Sequence, residues 1–194
     1  MAFRIVIGDV TIGIQGQDFA YIFSVGMGGM ESLYKDGKEW LYRAPRPAFW
    51  RATTDNDRGN GFVFRSAVWS AADRFVRCVK VTARMDEQEI SMPPAPENNK
   101  YNGDETCDRF EISYTYETPT VPVTEVTVSY LVESDGRIHV QVDYLGKQGL
   151  PELPVLGLRF LMPTAAEGYT YEGLSGETYP DRMAGGIHGV YEVQ

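Results

Sequence analysis

The amino-acid sequence predicts an all-β fold of antiparallel strands with one short helix. Apolar and polar residues alternate with a period of two over several segments, as half-buried strands require. The 194 residues include 20 Gly, 11 Pro and 12 Tyr, a composition that favours short strands joined by turns. Two Asp-Gly pairs, at 36–37 and 135–136, are typical of the tight turns that close β-hairpins.

The first strands are predicted on both sides of a glycine cluster. Gly26, Gly28 and Gly29 resemble a phosphate-binding loop only superficially, because no helical pattern follows them. A turn between two strands is the better interpretation. The predicted segments are 3–7, 10–14, 19–25, 30–34 and, after the Asp36-Gly37 turn, 38–43.

The clearest alternation lies in three successive segments in the second half of the chain. Their apolar side chains all fall on one predicted face, and their polar side chains fall on the other. The run Ser134-Asp135-Gly136 predicts the hairpin between the second and third segments. The predicted dry face consists of Phe110, Ile112, Tyr114, Tyr116, Val126, Val128, Tyr130, Val132, Ile138, Val140, Val142 and Tyr144.

Two further stretches depart from the strand pattern. From about Phe62 to Phe75, apolar residues recur at spacings of three and four, which predicts a short helix. The proline-rich run at 92–100 cannot hold a ladder of hydrogen bonds and predicts a long surface loop. Alternation continues on both sides of this loop, so we expect a single domain over 1–194. The last segment, 187–193, reads as a strand whose partners we expect to be missing.

The charge and hydropathy of the chain exclude several classes of protein. There are 18 Lys and Arg residues against 27 Asp and Glu residues, a net charge of -9, which disfavours binding to nucleic-acid phosphates. No run of about 18 apolar residues is present, so we expect no membrane span. The sequence begins on a strand-like pattern without a signal peptide. We therefore expect a cytoplasmic location, or a targeting segment outside this sequence.

The cysteines and histidines offer little chemistry. Cys78 and Cys107 lie far apart in strand-like sequence, which favours two buried thiols over a disulfide or a zinc site. His139 and His188 are the two histidines of the chain, and neither has a recognisable nucleophile near it. His139 falls on the polar face of a predicted strand, so we interpret it as an exposed surface residue.

The densest polar cluster runs from Arg43 to Gly61. Its Asp55-Asn56-Asp57 run has the alternating oxygen donors of a calcium loop. The match fails, because the glycine comes one position early at Gly59 and the twelfth position is Ser66 rather than Glu. We interpret the carboxylates as structural groups that cap turns and pair with neighbouring arginines.

A second polar cluster covers 171–182. Glu177 and Asp181 could be a general acid and base, since glycosidases place two carboxyls about 5 to 9 Å apart around the scissile bond. With 27 acidic residues in the chain, spacing alone identifies no such pair. Asp181 and Arg182 are better explained as a loop-holding pair of charged hydrogen-bonding groups.

Together the two clusters carry a resemblance to a known family. The run FWRATTDNDRG at 49–59 resembles the signature that opens the C-terminal domain of the large β-galactosidases of glycoside hydrolase family 2, and ETYPDR at 177–182 resembles that domain's second signature. Thr53 replaces a usual proline and Thr178 a usual asparagine. The resemblance covers nearly the whole chain, with both motifs in the family's order.

The resemblance implies a fold and a role. It implies an antiparallel β-supersandwich like that of galactose mutarotases, of which this chain is the N-terminal portion, packed against a separate catalytic (β/α)8 barrel. The barrel carries the catalytic glutamates in this family, so we assign this chain no catalytic residue, metal or cofactor and expect it to be inactive alone. The resemblance implies that its partners are the remaining domains or large chain of a retaining β-galactosidase, whose galactoside cleft it supports and shapes. The candidate loop and cleft residues are Trp50, Arg51, Asp55, Asn56, Asp57, Arg58, Glu177, Tyr179, Asp181 and Arg182.

Two alternatives stay open at this point. The chain could be a free-standing carbohydrate-binding or mutarotase-like protein that stacks sugars on Trp40, Trp50 and tyrosines and uses His139 or His188 as a general acid or base. It could also be a genuine small subunit of a split β-galactosidase. Assays of hydrolysis, mutarotation and complementation separate these possibilities.

Overall fold

The computed structural model describes residues 2–92, 101–176 and 185–194, and these residues fall into two compact units. The first unit extends to Met162 and the second begins at Pro163. The prediction of a single domain over 1–194 stays a prediction. Among the described residues, no helix is both long enough and apolar enough to cross a membrane.

The first unit is built almost entirely from short strands. Two short α-helices and two 3-10 turns interrupt the strands between β6 and β7. In chain order the elements are β1 (Phe3–Ile7), β2 (Thr11–Gln15), β3 (Phe19–Ser24), β4 (Gly29–Lys35), β5 (Lys38–Glu39), β6 (Arg43–Ala48), α1 (Asp55–Gly59), α2 (Phe62–Arg65), the 3-10 turns Ala67–Trp69 and Ala72–Arg74, β7 (Arg77–Met85), β8 (Gln88–Ile90), β9 (Thr106–Cys107), β10 (Arg109–Glu117), β11 (Glu125–Glu133), β12 (Ile138–Asp143) and β13 (Gly157–Leu161).

Two antiparallel sheets form the sandwich of this unit. The six-stranded sheet has the order β5-β4-β3-β2-β1-β9, and the five-stranded sheet has the order β12-β11-β10-β7-β8. Phe23 of the first sheet lies between Phe110 and Tyr130 of the second, with ring centroids 5.6 and 5.7 Å away. The all-β antiparallel fold predicted from the alternation is therefore confirmed, and the sandwich arrangement agrees with what the family resemblance implied.

Buried tyrosine hydroxyls connect the two sheets. The Tyr21 hydroxyl donates to the carbonyl of Gly136, at 2.7 Å, in the turn between β11 and β12. The Tyr114 hydroxyl of β10 donates to the carbonyl of Gly29, at 3.2 Å, at the start of β4. Both tyrosine side chains are almost completely buried, so these bonds fix how one sheet lies on the other.

The tight turns agree with the sequence prediction. Asp36 and Gly37 have φ values of 53° and 77°, and their left-handed conformation suits a two-residue hairpin. Gly136 has a φ of 77° and closes the turn between β11 and β12. Gly26 and Gly28 lie in the turn between β3 and β4, as expected, and Gly29 is the first residue of β4.

The predicted dry face is confirmed on two strands and is wrong in part on the third. The alternating residues of β10 and β11 are 0 to 1% exposed. On β12, Val140 is 43% exposed, while Ile138 and Val142 are only partly buried. The reason is position, because β12 is the edge strand of its sheet and has one neighbouring strand instead of two.

Two local predictions need correction. The predicted strand at 38–43 is divided into β5 and the start of β6. The helix predicted from Phe62 to Phe75 is instead α2 followed by two 3-10 turns. Phe64 and Phe75 are 85% and 71% exposed, and Ala71 has a φ of 66°, which a continuous right-handed helix cannot contain.

Strand β6 has an unusual composition and a single partner. It contains Pro45 and Pro47, both buried, within the sequence RAPRPA. Within the described part of the chain it pairs only with β13, antiparallel, with Arg46 opposite Arg159. This two-stranded sheet leads directly into the motif segment that begins at Phe49.

The second unit contains one hairpin of two strands. β14 (Tyr169–Ser175) and β15 (Ile187–Val193) pair antiparallel along their whole length. The expectation that the strand at 187–193 would lack partners was wrong. The Tyr171 and Tyr191 rings stack, with centroids 5.4 Å apart.

Candidate functional site

The candidate site is the segment that leaves β6 and enters α1. Phe49 is completely buried, and its ring centroid lies 5.5 Å from that of Trp69. Trp50 is half-buried against the same core. These aromatic residues fix the start of the segment, and the polar residues from Arg51 onward lie at the surface of the unit, with Asp57 as the buried exception.

Arg51 and Asp57 hold the segment together by a two-point contact. Nη1 of Arg51 lies 2.6 Å from Oδ2 of Asp57, and Nη2 lies 3.2 Å from Oδ1. The guanidinium carbon of Arg51 also lies 5.8 Å from the Phe62 ring centroid. This is a bidentate ion pair, in which two N–H groups of the planar guanidinium donate to the two carboxylate oxygens, and it fixes the orientation of both side chains.

The same aspartate forms the N-terminal cap of α1. Oδ2 of Asp57 accepts a hydrogen bond from the Thr54 backbone N–H at 2.8 Å, and Oγ1 of Thr54 accepts one from the Asp57 backbone N–H at 3.2 Å. This is a reciprocal capping box, which satisfies amides that a helix of only five residues leaves unpaired. The motif therefore forms a closed turn rather than an open loop.

These contacts change the acidity of Asp57. The hydrogen bond from Arg51, followed by the one from the Thr54 amide, holds the pKa of this carboxyl well below its ordinary value. Asp57 is 9% exposed, and it is ionised throughout the neutral range. A carboxylate fixed in this state cannot donate a proton and does not suit the role of a general acid.

The remaining motif residues are exposed. Asp55 contacts Arg58 through its carboxylate, and Nη1 of Arg58 donates to the Thr53 carbonyl at 3.3 Å. Asn56 is exposed beside them. The carboxylates of Asp55 and Asp57 each contact an arginine, as expected for groups that hold a turn.

Two buried polar groups that the sequence analysis missed anchor the following segment. Oγ of Ser66 donates to the Glu152 carbonyl at 3.0 Å, and Nε1 of Trp69 donates to the Pro151 carbonyl at 3.2 Å. Ser66 and Trp69 are 1% and 0% exposed. Their hydrogen-bond partners lie more than 80 residues away in the sequence. The one local indication in the sequence is that the serine lies between aromatic residues that are buried.

The second motif cannot be placed in the same way. Glu177, Tyr179, Asp181 and Arg182 lie outside the described residues, so their predicted roles stay predictions. The strands on either side of them, β14 and β15, are described. The Tyr191 hydroxyl donates to the Ile187 carbonyl at 2.6 Å and lies 3.2 Å from the Ser175 carbonyl, which ties the two strands together beside the motif.

The two histidines are exposed, and the two cysteines are free thiols. Nε2 of His139 lies 3.3 Å from a Glu133 carboxylate oxygen, and the His139 side chain is 55% exposed. His188 is exposed on β15. Cys78 and Cys107 are free thiols, and burial raises the pKa of Cys107 to about 12. In the part of the chain that the structure describes, no three His, Cys, Asp or Glu residues form a metal-binding group.

Comparison with known proteins assigns the class. The model of the beta galactosidase small chain family matches residues 15–194. The matched residues include most of the all-β sandwich and the charged motif segment on its surface. The chain belongs to the β-galactosidase small chain family.

Several curated relatives carry related names. A protein of Latilactobacillus sakei named beta-galactosidase small subunit is 58% identical over 189 residues, which is 97% of this chain and 59% of that protein. Proteins named beta-galactosidase from Clostridium acetobutylicum and Streptococcus thermophilus are 39% and 32% identical over 97% and 98% of the chain. The chain spans 19% and 17% of those two proteins and little more than half of the first.

Proposed function

We propose that this chain is a non-catalytic part of a β-galactosidase that supports and shapes the galactoside cleft of the intact retaining enzyme. In this proposal, residues 1–194 form the first portion of the C-terminal sandwich domain of a glycoside hydrolase family 2 enzyme. The partner is the large chain, or the remaining domains, that carry the catalytic barrel. The relatives support this idea, because similar sequence occurs both in a named small subunit and within much longer proteins.

The observation that carries the non-catalytic role is the use made of the motif carboxylates. A retaining glycosidase needs two carboxyls about 5 Å apart, one able to donate a proton and one free to attack the sugar. Asp57 is held ionised by Arg51, and Asp55 contacts Arg58. The Asp57 charge is therefore used to keep the segment in shape, and the Asp55 charge is paired at the surface, an arrangement that suits a support for loops near a cleft.

The mutarotase-like alternative has less support. Mutarotation needs a general acid and a general base on either side of a sugar ring. His139 is exposed and faces Glu133 on its own sheet, and Trp40 is covered in part by Lys38, whose Nζ lies 4.3 Å from the ring centroid. Neither arrangement provides an enclosed sugar site.

Complementation tests the proposal directly. The purified chain is assayed with o-nitrophenyl β-galactoside, alone and after mixing with a separately purified large chain that carries the barrel. We expect no hydrolysis by either chain alone and hydrolysis by the mixture. As a control, a large chain without its catalytic glutamates remains inactive in the mixture, which excludes a contaminating enzyme.

Three results would contradict the proposal. Hydrolysis by this chain alone would show that it carries its own catalytic groups. If the two chains neither associate at micromolar concentration nor gain activity on mixing, the large chain is not the partner of this chain. Catalysed mutarotation of α-galactose by the chain alone, followed by polarimetry, would favour the alternative.

A further inference from the structure

A positively charged cleft lies on the first unit, apart from the motif segment. It has a volume of about 810 Å³ and is lined by β4, β6, β13 and the segment from Asp73 to Val76. Four arginines, Arg43, Arg46, Arg74 and Arg159, lie along it. We call it the arginine cleft. In a chain with a net charge of -9, four arginines in one cleft are a local reversal of charge.

Two of these arginines are fixed in place by the fold. Nη2 of Arg46 donates to the Met27 carbonyl at 3.2 Å, and its guanidinium carbon lies 5.4 Å from the Tyr116 ring centroid. Arg159 forms an ion pair with Asp73, whose side chain is only 10% exposed. These contacts order the walls of the cleft before any ligand arrives.

The other two arginines have no such partner. Within the described residues, the guanidinium groups of Arg43 and Arg74 form no hydrogen bond or ion pair. Glu31 and Asp73 are the acidic residues of the lining, and Asp73 already pairs with Arg159. The cleft therefore presents uncompensated positive charge to whatever enters it.

Exposed apolar side chains accompany this charge. Tyr42 and Met27, both in the lining, are 75% and 71% exposed. The Tyr42 backbone N–H donates to the Leu161 carbonyl at 2.8 Å, so the backbone is fixed while the ring projects. Tyrosine, methionine and arginine are the residue types enriched at protein interfaces, where anchors of this kind carry much of the binding energy.

We propose that the arginine cleft binds an acidic segment of a partner protein chain, with carboxylates on Arg43 and Arg74 and an apolar side chain against Tyr42. Two features favour a peptide over a small anion. The arginines are spread over three elements instead of surrounding one point, and the exposed tyrosine and methionine give an inorganic anion nothing to bind. Arginine forks match carboxylates in geometry as well as in charge.

This inference rests on the proposed function, because the partner is the large β-galactosidase chain. The experiment measures the dissociation constant between the two chains by isothermal titration at two salt concentrations. The variants are Arg43→Glu, Arg74→Glu and the double variant. Their side chains have no partners to lose, so the fold is expected to remain intact, and circular dichroism checks this.

We expect each single variant to weaken association about tenfold and the double variant by about a hundredfold, as loss of charge-assisted hydrogen bonds predicts. Added salt weakens the wild-type complex but does not weaken the double variant further, because there the reversed charges repel the acidic segment and salt screens that repulsion. Arg43→Lys and Arg74→Lys retain part of the affinity. Lys147→Glu, a charge reversal at an exposed loop residue outside the cleft lining, leaves the affinity unchanged.

The outcomes separate this inference from the proposed function. A double variant that binds the large chain as tightly as wild type overturns the role of the cleft and leaves the proposed function intact. A wild-type chain that does not bind the large chain overturns both. If Lys147→Glu lowers the affinity by the same factor, the role of the cleft is overturned as well, because the loss then reflects a general effect of net charge.

Discussion

Arg51 closes the turn before α1 through hydrogen bonds to both carboxylate oxygens of Asp57, six residues further along the chain, at 2.6 and 3.2 Å. The same carboxylate accepts the amide of Thr54. One side chain thus serves as both ion-pair partner and helix cap. The shape of the motif segment depends on this one carboxylate.

Replacement of Asp57 is expected to loosen the motif segment. Asp57→Asn keeps an oxygen that can cap Thr54 but removes the charge that holds Arg51, so the free energy of unfolding is expected to fall. Thr54→Ala removes only the cap and is expected to cost about 1 kcal/mol. Urea denaturation followed by tryptophan fluorescence measures both.

Asp55→Asn is the matched control for this prediction. Its side chain is 94% exposed and contacts Arg58 across the helix surface, and exposed pairs of this type contribute little to stability. If Asp55→Asn lowers stability as much as Asp57→Asn, the Arg51–Asp57 contact has no special role.

The Arg51–Asp57 contact also predicts a pH dependence. The pKa of Asp57 is lowered in the folded protein from an ordinary value of 3.8, so the folded state favours the ionised form. Its contribution to stability is complete above that ordinary value and is lost as the pH falls toward the lowered pKa. The stability difference between wild type and Asp57→Asn should be constant from pH 7 to 5 and shrink below pH about 4. A difference that grows on acidification would contradict the assignment.

Two buried tyrosines should respond in opposite ways to loss of their hydroxyls. The Tyr130 hydroxyl is buried without a hydrogen-bond partner, whereas the Tyr21 hydroxyl donates to the Gly136 carbonyl. Tyr130→Phe is expected to leave stability unchanged or raise it by about 1 kcal/mol, and Tyr21→Phe to lower it by about 1 kcal/mol. Thermal and urea denaturation of both variants test this. Equal losses would show that the Tyr130 hydroxyl has a bonding partner.

Two glycines in left-handed turns should differ in their tolerance of alanine. A Cβ at Gly37 would meet nothing within 4 Å, whereas one at Gly28 would lie 2.6 Å from Cβ of Cys78. Gly37→Ala is expected to lower the free energy of unfolding by about 1 kcal/mol, because an alanine is strained in the left-handed backbone conformation. Gly28→Ala adds a steric clash between the two sheets and is expected to cost about 2–4 kcal/mol. Similar losses for the two variants, measured by urea denaturation, would contradict the close approach at Gly28.

Much of the sandwich could be predicted because its signals are local. Alternation along β10 and β11 gave the buried face correctly, and Asp36-Gly37 gave a tight turn with positive φ at both residues. The failure at Val140 has a different origin. A strand pattern shows which face is apolar, but only the order of strands in the sheet decides whether that face is covered.

The segment at 62–75 shows where periodicity misleads. The helical spacing predicts a buried stripe that includes Phe64 and Phe75, but both are exposed, and the buried residues of the segment are Phe62, Ser66, Trp69 and Ala72. Ser66 and Trp69 are held by the carbonyls of Glu152 and Pro151. No local pattern contains those partners, so the spacing could not reveal which face of the segment turns inward.

The prolines of β6 have a consequence for how this strand can pair. A strand interior to a sheet must offer amide donors on both sides, and proline has none. Pro45 and Pro47 stand at alternate positions, so β6 lacks two amide donors that would point to the same side, while β13 is its one strand partner among the described residues. The missing donors disfavour addition of a third strand along that side of β6. A partner that docks on β6 would then contact its projecting side chains, and on this strand those include two of the four arginines of the arginine cleft.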